Sequence, residues 1–249
     1  MKVSDLAVLK RVQEVLKERP FLGEGHRKIH AALRLEGVMV GRDRLLRILR
    51  ENNLLAPHRS GQSLGPKSHE GTIGTDRPNE IWGTDLTFTM TEEDGPVAVF
   101  VAVEHFNSGC MGIHASLKAN RFEAMEPIRQ GVKHRYGVYE KNSASGLKIR
   151  HDHGTQYISH YFQAELELLG IQSSPSFVRS PEGNGVAERF IKTLKEQLLW
   201  MRRFKSLEEL RIALLEFREN YNQHWMVEKH GHLSPKQIYE KHLATQEVA

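Results

Sequence analysis

The feature that most constrains the fold is the run VAVFVAV at residues 97–103, in which every residue is apolar. The run is far shorter than the ~20 apolar residues of a membrane span, and it is rich in valine, which favours strands. A strand that is apolar at every position has both of its faces covered. The sequence therefore predicts a buried central strand, and the Asp94-Gly95 pair before it predicts a hairpin with the preceding strand.

Further strand and helix patterns surround this run. Four more strands are predicted at 81–90, 109–117, 147–151 and 171–174, and four helices at 121–136, 159–169, 186–201 and 207–221. Three strands are followed by a helix, a strand, a helix, a strand and two helices. This order predicts an α/β domain, in which helices cover a sheet.

The first 56 residues carry helical patterns instead. Apolar residues recur at helical spacing in three segments, at 4–18, 24–36 and 42–52. The last two are joined by a tight turn at 37–41, which predicts a helix-turn-helix. One face of the third helix carries the candidate DNA-binding residues Arg44, Arg47 and Arg50. A small helical bundle with a solvated basic face is the alternative.

The charge is unevenly distributed. Residues 1–59 contain 13 Lys and Arg against 7 Asp and Glu, a surplus of +6 that leaves −2 for the rest of a chain whose net charge is +4. The surplus could neutralise phosphates or could simply be solvated. The domains predicted from these patterns are a helix-turn-helix domain at 1–56, a Gly- and Pro-rich linker at 57–79, a core at 80–205 and a C-terminal helical segment at 206–249.

The cysteine content and the N-terminus point to a cytoplasmic protein. A single cysteine, Cys110, excludes an intrachain disulfide, which suits a reducing compartment. The N-terminus lacks a signal-peptide pattern, and no apolar stretch approaches the length of a membrane span, so we expect no membrane association.

Three carboxylates stand on separate predicted elements. Asp85 lies inside the first strand in WGTDLT, Asp152 at the end of the fourth strand in RHDHGTQY, and Glu188 in the first turn of a helix in NGVAERFIKTLK. A charge inside a strand is costly unless it is compensated, and open sheets place their sites at strand ends. Oxygen ligands suit hard cations, so two Mg²⁺ or Mn²⁺ ions are expected at these residues.

Several basic and imidazole side chains adjoin these acids. Arg189, Lys192 and Lys195 follow Glu188 and are candidate DNA contacts, although an ordinary surface pair between residues i and i+4 is the alternative. His151 and His153 flank Asp152 and either approach the site or lie on the opposite strand face, which we favour. The loop at 176–185 is predicted to close over a substrate, with a simple flexible connection as the alternative.

The three segments resemble the signature blocks of OrfB-type insertion-sequence transposases, a family with a retroviral integrase-like core. The family pattern is Asp, Asp, then Glu after 35 residues and a basic residue seven positions beyond; Asp85, Asp152, Glu188 and Lys195 occupy those places. Residues 23–55 are similar to the helix-turn-helix segment that precedes this core. The C-terminal stretch 221–237 departs from the family, because it lacks an Arg-Pro-His sequence after Tyr221-Asn222.

The resemblance implies an RNase H-like mixed five-stranded sheet flanked by helices. It also implies a DDE transposase of the bacterial cytoplasm and nucleoid, which cuts and joins DNA at insertion-sequence ends by two-metal-ion phosphoryl transfer. The implied partners are element-end and target DNA, further copies of the chain on DNA, and an upstream OrfA-type partner or fusion. Two alternatives stay open, a non-catalytic DNA-binding regulator of transposition and a general RNase H-like nuclease.

Overall fold

The computed structural model describes residues 3–56, 74–176 and 184–247, which divide into two compact units. The helical unit comprises 3–56 together with 224–234, and the sheet unit comprises the remaining described residues. Most of the predicted linker at 57–79 and most of the predicted closing loop at 176–185 lie outside the described residues. In the described residues, no helix is both long and apolar enough to cross a membrane.

The described part of the helical unit is built from three α-helices and the short segment 224–234. The helices are α1 (Asp5–Glu18), α2 (His26–Leu35) and α3 (Arg42–Glu51). Helix α1 begins where the Ser4 hydroxyl accepts the N–H of Ala7, a common N-cap. The predicted helix-turn-helix is confirmed in α2 and α3, and the buried core includes Val12, Ile29, Leu45, Leu49 and Met226.

The sheet unit contains the predicted mixed sheet. Its strands are β1 (Ile81–Thr91), β2 (Gly95–Glu104), β3 (Cys110–Ser116), β4 (Lys148–His151) and β5 (Gln172–Pro175). They are arranged in the order β3-β2-β1-β4-β5. The pairs β1–β2 and β2–β3 are antiparallel, whereas β1–β4 and β4–β5 are parallel. The predicted buried strand is confirmed, because β2 lies between β1 and β3 and residues 97–104 are all buried.

Among the residues that the structure describes, six α-helices accompany the sheet. They are α4 (Arg121–Tyr136), α5 (Thr155–Ile158), α6 (His160–Leu168), α7 (Gly185–Leu194), α8 (Leu207–His224) and α9 (Pro235–Glu247). One amide, that of Asn222 in α8, fixes α8 to β3, because it accepts the N–H of Cys110 at 2.8 Å and donates to the Cys110 carbonyl at 2.9 Å.

One helical prediction needs correction, and one short helix was not predicted. The helix predicted at 159–169 is confirmed as α6. The unpredicted helix α5 precedes it, and the extended backbone of Ser159, whose hydroxyl accepts the N–H of Phe162, separates the two. The helix predicted at 186–201 is α-helical only as far as Leu194 and continues as a π-helix over Lys195–Leu199. Within the segment predicted at 206–249, residues 224–234 are grouped with the helical unit.

The packing of α4 on the sheet requires glycine at position 112. Gly112 lies in β3, opposite Ala102 of β2. A Cβ atom added there would be only 1.9 Å from the carbonyl oxygen of Pro127 in α4. Because the obstacle is backbone in a packed helix, α4 or β3 would have to move.

We expect Gly112→Ala to lower the free energy of unfolding of the sheet unit by about 2–4 kcal/mol, because overpacking against backbone is relieved only by shifting an element. Urea unfolding measures the change. Gly185→Ala is the control, since a Cβ there meets nothing within 4 Å, and it should be neutral or slightly stabilising. Equal midpoints for wild type and Gly112→Ala would contradict this packing.

Candidate active site

Asp85 lies on β1 just beyond the point where β4 stops pairing with it. Strand β4 pairs with β1 only from Ile81 to Gly83, whereas Asp85 is opposite Val101 of β2. The side chain is half-buried, and its Oδ1 accepts the N–H of Leu86 at 2.8 Å. The carboxylate therefore stands at an open notch in the described sheet, with one oxygen oriented by the backbone.

Asp152 directly follows the last residue of β4. The parallel register pairs Gly83 with Arg150, so continuing both strands by two residues brings Asp85 and Asp152 to the same level of the sheet. Asp152 is exposed, and its Oδ1 accepts the N–H of Gly154 at 2.8 Å. A Cβ on Gly154 would lie 2.9 Å from that oxygen, so glycine leaves room for the carboxylate.

Glu188 lies in the first turn of α7, and the start of α7 is attached to β1. The amide of Asn184 donates to the Thr84 carbonyl at 2.9 Å, one residue before Asp85. A Cβ on Gly83 would lie 2.6 Å from Asn184 Oδ1 and 3.4 Å from the Ala187 Cβ. Glycine at this point of β1 therefore allows the helix carrying Glu188 to approach the strand carrying Asp85.

The three acids share one electrostatic environment. Burial is the main cause that raises the pKa of Asp85 to about 6, and the negative charges of Asp152 and Glu188 add to it. The N–H of Leu86 and the ammonium of Lys195 act in the opposite direction on the same pKa. Partial burial also raises the pKa of Glu188 above its ordinary value. Charges from two segments that are distant in the sequence, Asp152 in one and Glu188 and Lys195 in the other, thus act on the carboxylate of Asp85.

The chemistry of this donor set fits a hard divalent cation. The three side chains offer carboxylate oxygens, the ligands that Mg²⁺ and Mn²⁺ prefer. The mutual charge around Asp85 is what a bound cation would neutralise. In the described parts of the chain, however, no three His, Cys, Asp or Glu side chains lie close enough together to hold a metal ion. In this conformation the acids interact as charges without forming a finished coordination cage.

Two residues that the sequence analysis did not single out adjoin the acids. Asn184 makes the contact between α7 and β1. Tyr157 is fully buried, and burial together with the charges of Asp85 and Asp152 raises the pKa of its hydroxyl. Both residues stand inside the blocks HDHGTQY and NGVAERFIKTLK, so a signal was present. Their residue types indicated capping and packing rather than a role at the site.

The two histidines beside Asp152 have different surroundings. His151 is buried, its Nε2 is 2.9 Å from Ser173 Oγ, and its ring packs near Tyr157 and Phe162. Burial lowers the pKa of His151. His153 is exposed, and its Nε2 is 2.7 Å from the Ser176 carbonyl oxygen. His151 therefore packs in the core of the sheet unit.

The basic residues predicted on α7 differ in exposure. Arg189 and Lys192 are exposed on the helix, whereas Lys195 is half-buried at the start of the π-helical stretch. Lys195 is the cation whose charge reaches Asp85. Lys195 therefore interacts electrostatically with Asp85. Arg189 and Lys192 present their charges to solvent.

The three arginines predicted on α3 also differ. Arg44 Nε is 2.7 Å from one oxygen of Asp5, and Arg47 Nη2 is 2.5 Å from the other. Arg47 additionally contacts Glu51 at 3.0 Å. Arg50 is exposed. Surface ion pairs of this kind contribute roughly 0–1 kcal/mol, so a DNA phosphate can compete with them for Arg44 and Arg47.

Comparison with known proteins adds family information. An HTH-like domain model matches residues 4–61, and an integrase core domain model matches residues 169–235. The second match contains Glu188 but neither aspartate. Among solved structures, a chain of the simian T-cell lymphotropic virus intasome in complex with PP2A regulatory subunit B56 gamma is similar in fold. Its TM-score is 0.54 at 20% identity, covering 86% of this chain and 74% of that one.

Two relatives from Escherichia coli match nearly the whole chain. The insertion element IS2A uncharacterized 48.2 kDa protein is 26% identical over 248 residues, which is 96% of this chain and 57% of that protein. Transposase InsD for insertion element IS2A/D/F/H/I/K is 26% identical over 241 residues, which is 94% of this chain and 78% of that protein. The chain thus spans little more than half of the first relative. The chain thus matches an HTH-like domain model and an integrase core domain model, and over most of its length it is similar to an insertion-element transposase.

Proposed function

We propose that this protein is a transposase that cuts and joins DNA at insertion-sequence ends by phosphoryl transfer, with Asp85, Asp152 and Glu188 as its catalytic carboxylates. One observation carries the proposal: the charges of Asp152 and Glu188 both act on Asp85, which is itself half-buried. An uncompensated cluster of this kind is unfavourable for folding. Such costs are typical of functional sites, where perturbed carboxylates gather.

The three carboxylates are the residues that would hold Mg²⁺ or Mn²⁺, in a two-ion arrangement. When bound, such ions activate the attacking hydroxyl and stabilise the leaving oxygen. The protein's own contribution is orientation. The N–H groups of Leu86 and Gly154 each hold one oxygen of an aspartate, which leaves the second oxygen of each carboxylate for a ligand.

Positioning of the third acid depends on α7. The bond from Asn184 to the Thr84 carbonyl fixes the start of this helix beside β1, and Glu188 follows one turn later. Arg189 and Lys192 lie on α7 and Lys195 begins the π-helical stretch that continues it, where their charges suit contact with phosphates near the reacting bond. In the helix-turn-helix, the proposed DNA contacts are Arg44, Arg47 and Arg50 on α3.

Assembly is implied by the resemblance and stays a prediction. A homo-oligomer on DNA and an upstream OrfA-type partner or fusion are both expected of such a transposase. The arrangement of Asp85, Asp152 and Glu188 within one chain can be explained without an oligomer and without an upstream partner. The two other classes, a non-catalytic regulator and a general nuclease, make different predictions for purified protein.

Neutralising any one acid should abolish strand transfer. We expect Asp85→Asn, Asp152→Asn and Glu188→Gln each to reduce Mg²⁺-dependent strand transfer of element ends by about 10²-fold or more, because each removes a fixed charge from the reacting centre. Circular dichroism and DNA binding should stay near wild type. Glu216→Gln, at an exposed acid of α8, is the matched control and should retain full activity.

The same assay separates the alternatives. If one of the three single variants keeps near-normal strand transfer, the acid changed in that variant is not a catalytic residue. Wild-type protein that binds element ends but never cuts them under any divalent cation would support a regulator. Indiscriminate digestion of unrelated duplex or of RNA–DNA hybrid would support a nuclease.

Asp85→Asn should also stabilise the protein in the absence of metal. The folded-state pKa of Asp85, about 6, lies above the ordinary value of 3.8, so the folded protein holds the proton more tightly than the unfolded chain. The stability gained from binding this proton in the folded state is fully present below about pH 4 and is lost as the pH rises through about 6. At pH 7.5 in EDTA, Asp85→Asn should therefore raise the free energy of unfolding by about 1–3 kcal/mol.

Thermal unfolding of both proteins at pH 4 and pH 7.5 checks this prediction. The difference in melting temperature between Asp85→Asn and wild type should shrink at pH 4, where the wild-type carboxyl is protonated. Millimolar Mg²⁺ should raise the melting temperature of the wild type more than that of Asp85→Asn. A variant less stable than wild type at pH 7.5 would show that the charge of Asp85 is already well compensated.

A further inference from the structure

A cavity of about 550 Å³ lies within the helical unit. Its walls are one face of α2 from Arg27 to Leu35, the first residue of α3 and the turn at 228–232. The charged and polar side chains that line it are Arg27, His30, Arg34, Arg42, Glu228 and His232. Three guanidinium groups thus face one carboxylate, and the cavity carries a surplus of positive charge.

The arginines of the cavity are not equally engaged. Arg27 contacts Glu228 at 3.0 Å, with both side chains well exposed. Arg34 and Arg42 are exposed, and no carboxylate of the described residues forms an ion pair with either. They differ in this respect from Arg44 and Arg47, which share Asp5. Two guanidinium groups at one cavity are therefore ready to bind an anion.

A buried polar atom adds to this arrangement. The Nδ1 atom of His232 is buried and has no hydrogen-bond partner among the described residues. Burial and the positive charges of Lys28, Arg42 and Arg27 lower the pKa of His232. A neutral imidazole can donate one hydrogen bond, and an anion in the cavity is an acceptor that would satisfy it.

The wall that carries Glu228 and His232 is firmly built into the helical unit. Met226 is buried in the helical core. Trp225 meets Phe21 edge-on at 5.0 Å between ring centroids, and the Lys28 ammonium lies 2.9 Å from the centre of the Trp225 ring. Arg19 also donates to the His224 carbonyl at 3.0 Å. Residues 224–234 therefore complete this unit and form a fixed side of the cavity.

We propose that this cavity binds a backbone phosphate of duplex DNA, with Arg34 and Arg42 as the main contacts and residues 224–234 as part of the DNA-binding surface. The proposal rests on the proposed function, since it takes the anion from the DNA on which the transposase acts. Guanidinium groups pair with phosphate through parallel hydrogen bonds. Glu228 opposes binding, because its carboxylate occupies Arg27 and repels a second anion.

Arg34→Gln and Arg42→Gln in the full chain test the proposal. Fluorescence anisotropy with an element-end duplex and a scrambled duplex, each at several salt concentrations, measures affinity. Each variant should bind both duplexes roughly three- to tenfold more weakly, and the slope of log K against log salt should fall by about 1. Arg11→Gln is the control, because it makes the same charge change outside the cavity, where Arg11 is held by Glu14 and Glu36; its slope should match wild type.

Glu228→Gln tests the same cavity in the opposite direction. It frees Arg27 and removes the repulsive charge, so affinity for both duplexes should rise severalfold. A loss of structure cannot produce this gain. A fall in affinity for Glu228→Gln, or affinities and slopes for Arg34→Gln and Arg42→Gln equal to those of Arg11→Gln, would overturn the proposal.

A free anion is the other source of the same chemistry. If inorganic phosphate raises the melting temperature of wild type but not of Arg34→Gln, while DNA affinity is equal in both, the cavity is a site for free phosphate and the proposal is wrong. Failure of the proposed function has a different signature. Strand transfer that survives in Asp85→Asn and Glu188→Gln would overturn the catalytic assignment, whereas cavity-dependent DNA binding in the same proteins would uphold the present inference.

Discussion

The candidate site depends on the short parallel pairing of β4 with β1. Because that pairing covers only Ile81 to Gly83, the two strands separate just before Asp85 and Asp152, and two carboxylates fall at the same level of an open notch. The bond from Asn184 to the Thr84 carbonyl then adds the helix that carries Glu188. A longer ladder would pair the backbone at Asp85 on both sides, and a bulkier residue at Gly83 would push α7 away.

The burial of Asp85 is a cost that the fold alone does not require. Asp85 is paired with Val101 of the buried strand β2, and the charges of both neighbouring acids act against its ionisation. Glycines at 83 and 154 leave space around the site at the expense of side-chain packing. A sequence selected only for stability would place a neutral side chain at position 85. Under the proposed function, the charge at position 85 serves the chemistry of the site rather than folding.

Local patterns in the sequence were sufficient to predict most of the strands and helices. The apolar run at 97–103 and the Asp94-Gly95 turn were sufficient for the β1–β2 hairpin, because burial on both faces leaves a direct mark on composition. Asp85 could also be singled out, since charge within a strand is unusual, whereas Asp152 and Glu188 were singled out by their places at a strand end and in the first turn of a helix and by the family resemblance. What escaped was decided by contacts between distant residues. Asn184 reads as a helix cap, yet its partner is a carbonyl 100 residues away, and nothing local marks residues 224–234 as part of the helical unit.

The arginines of the helical unit show the same division. On α3 the sequence pattern selects Arg44, Arg47 and Arg50 by their shared face, but Asp5 of α1 already contacts two of them. Arg34 and Arg42 share no helix and form no pattern; only the turn between α2 and α3, closed by the segment at 228–232, brings them to one cavity. The charge surplus of the first 59 residues therefore does not by itself identify the DNA contacts. The ion pairs decide which cations are neutralised within the fold and which are left for an external anion.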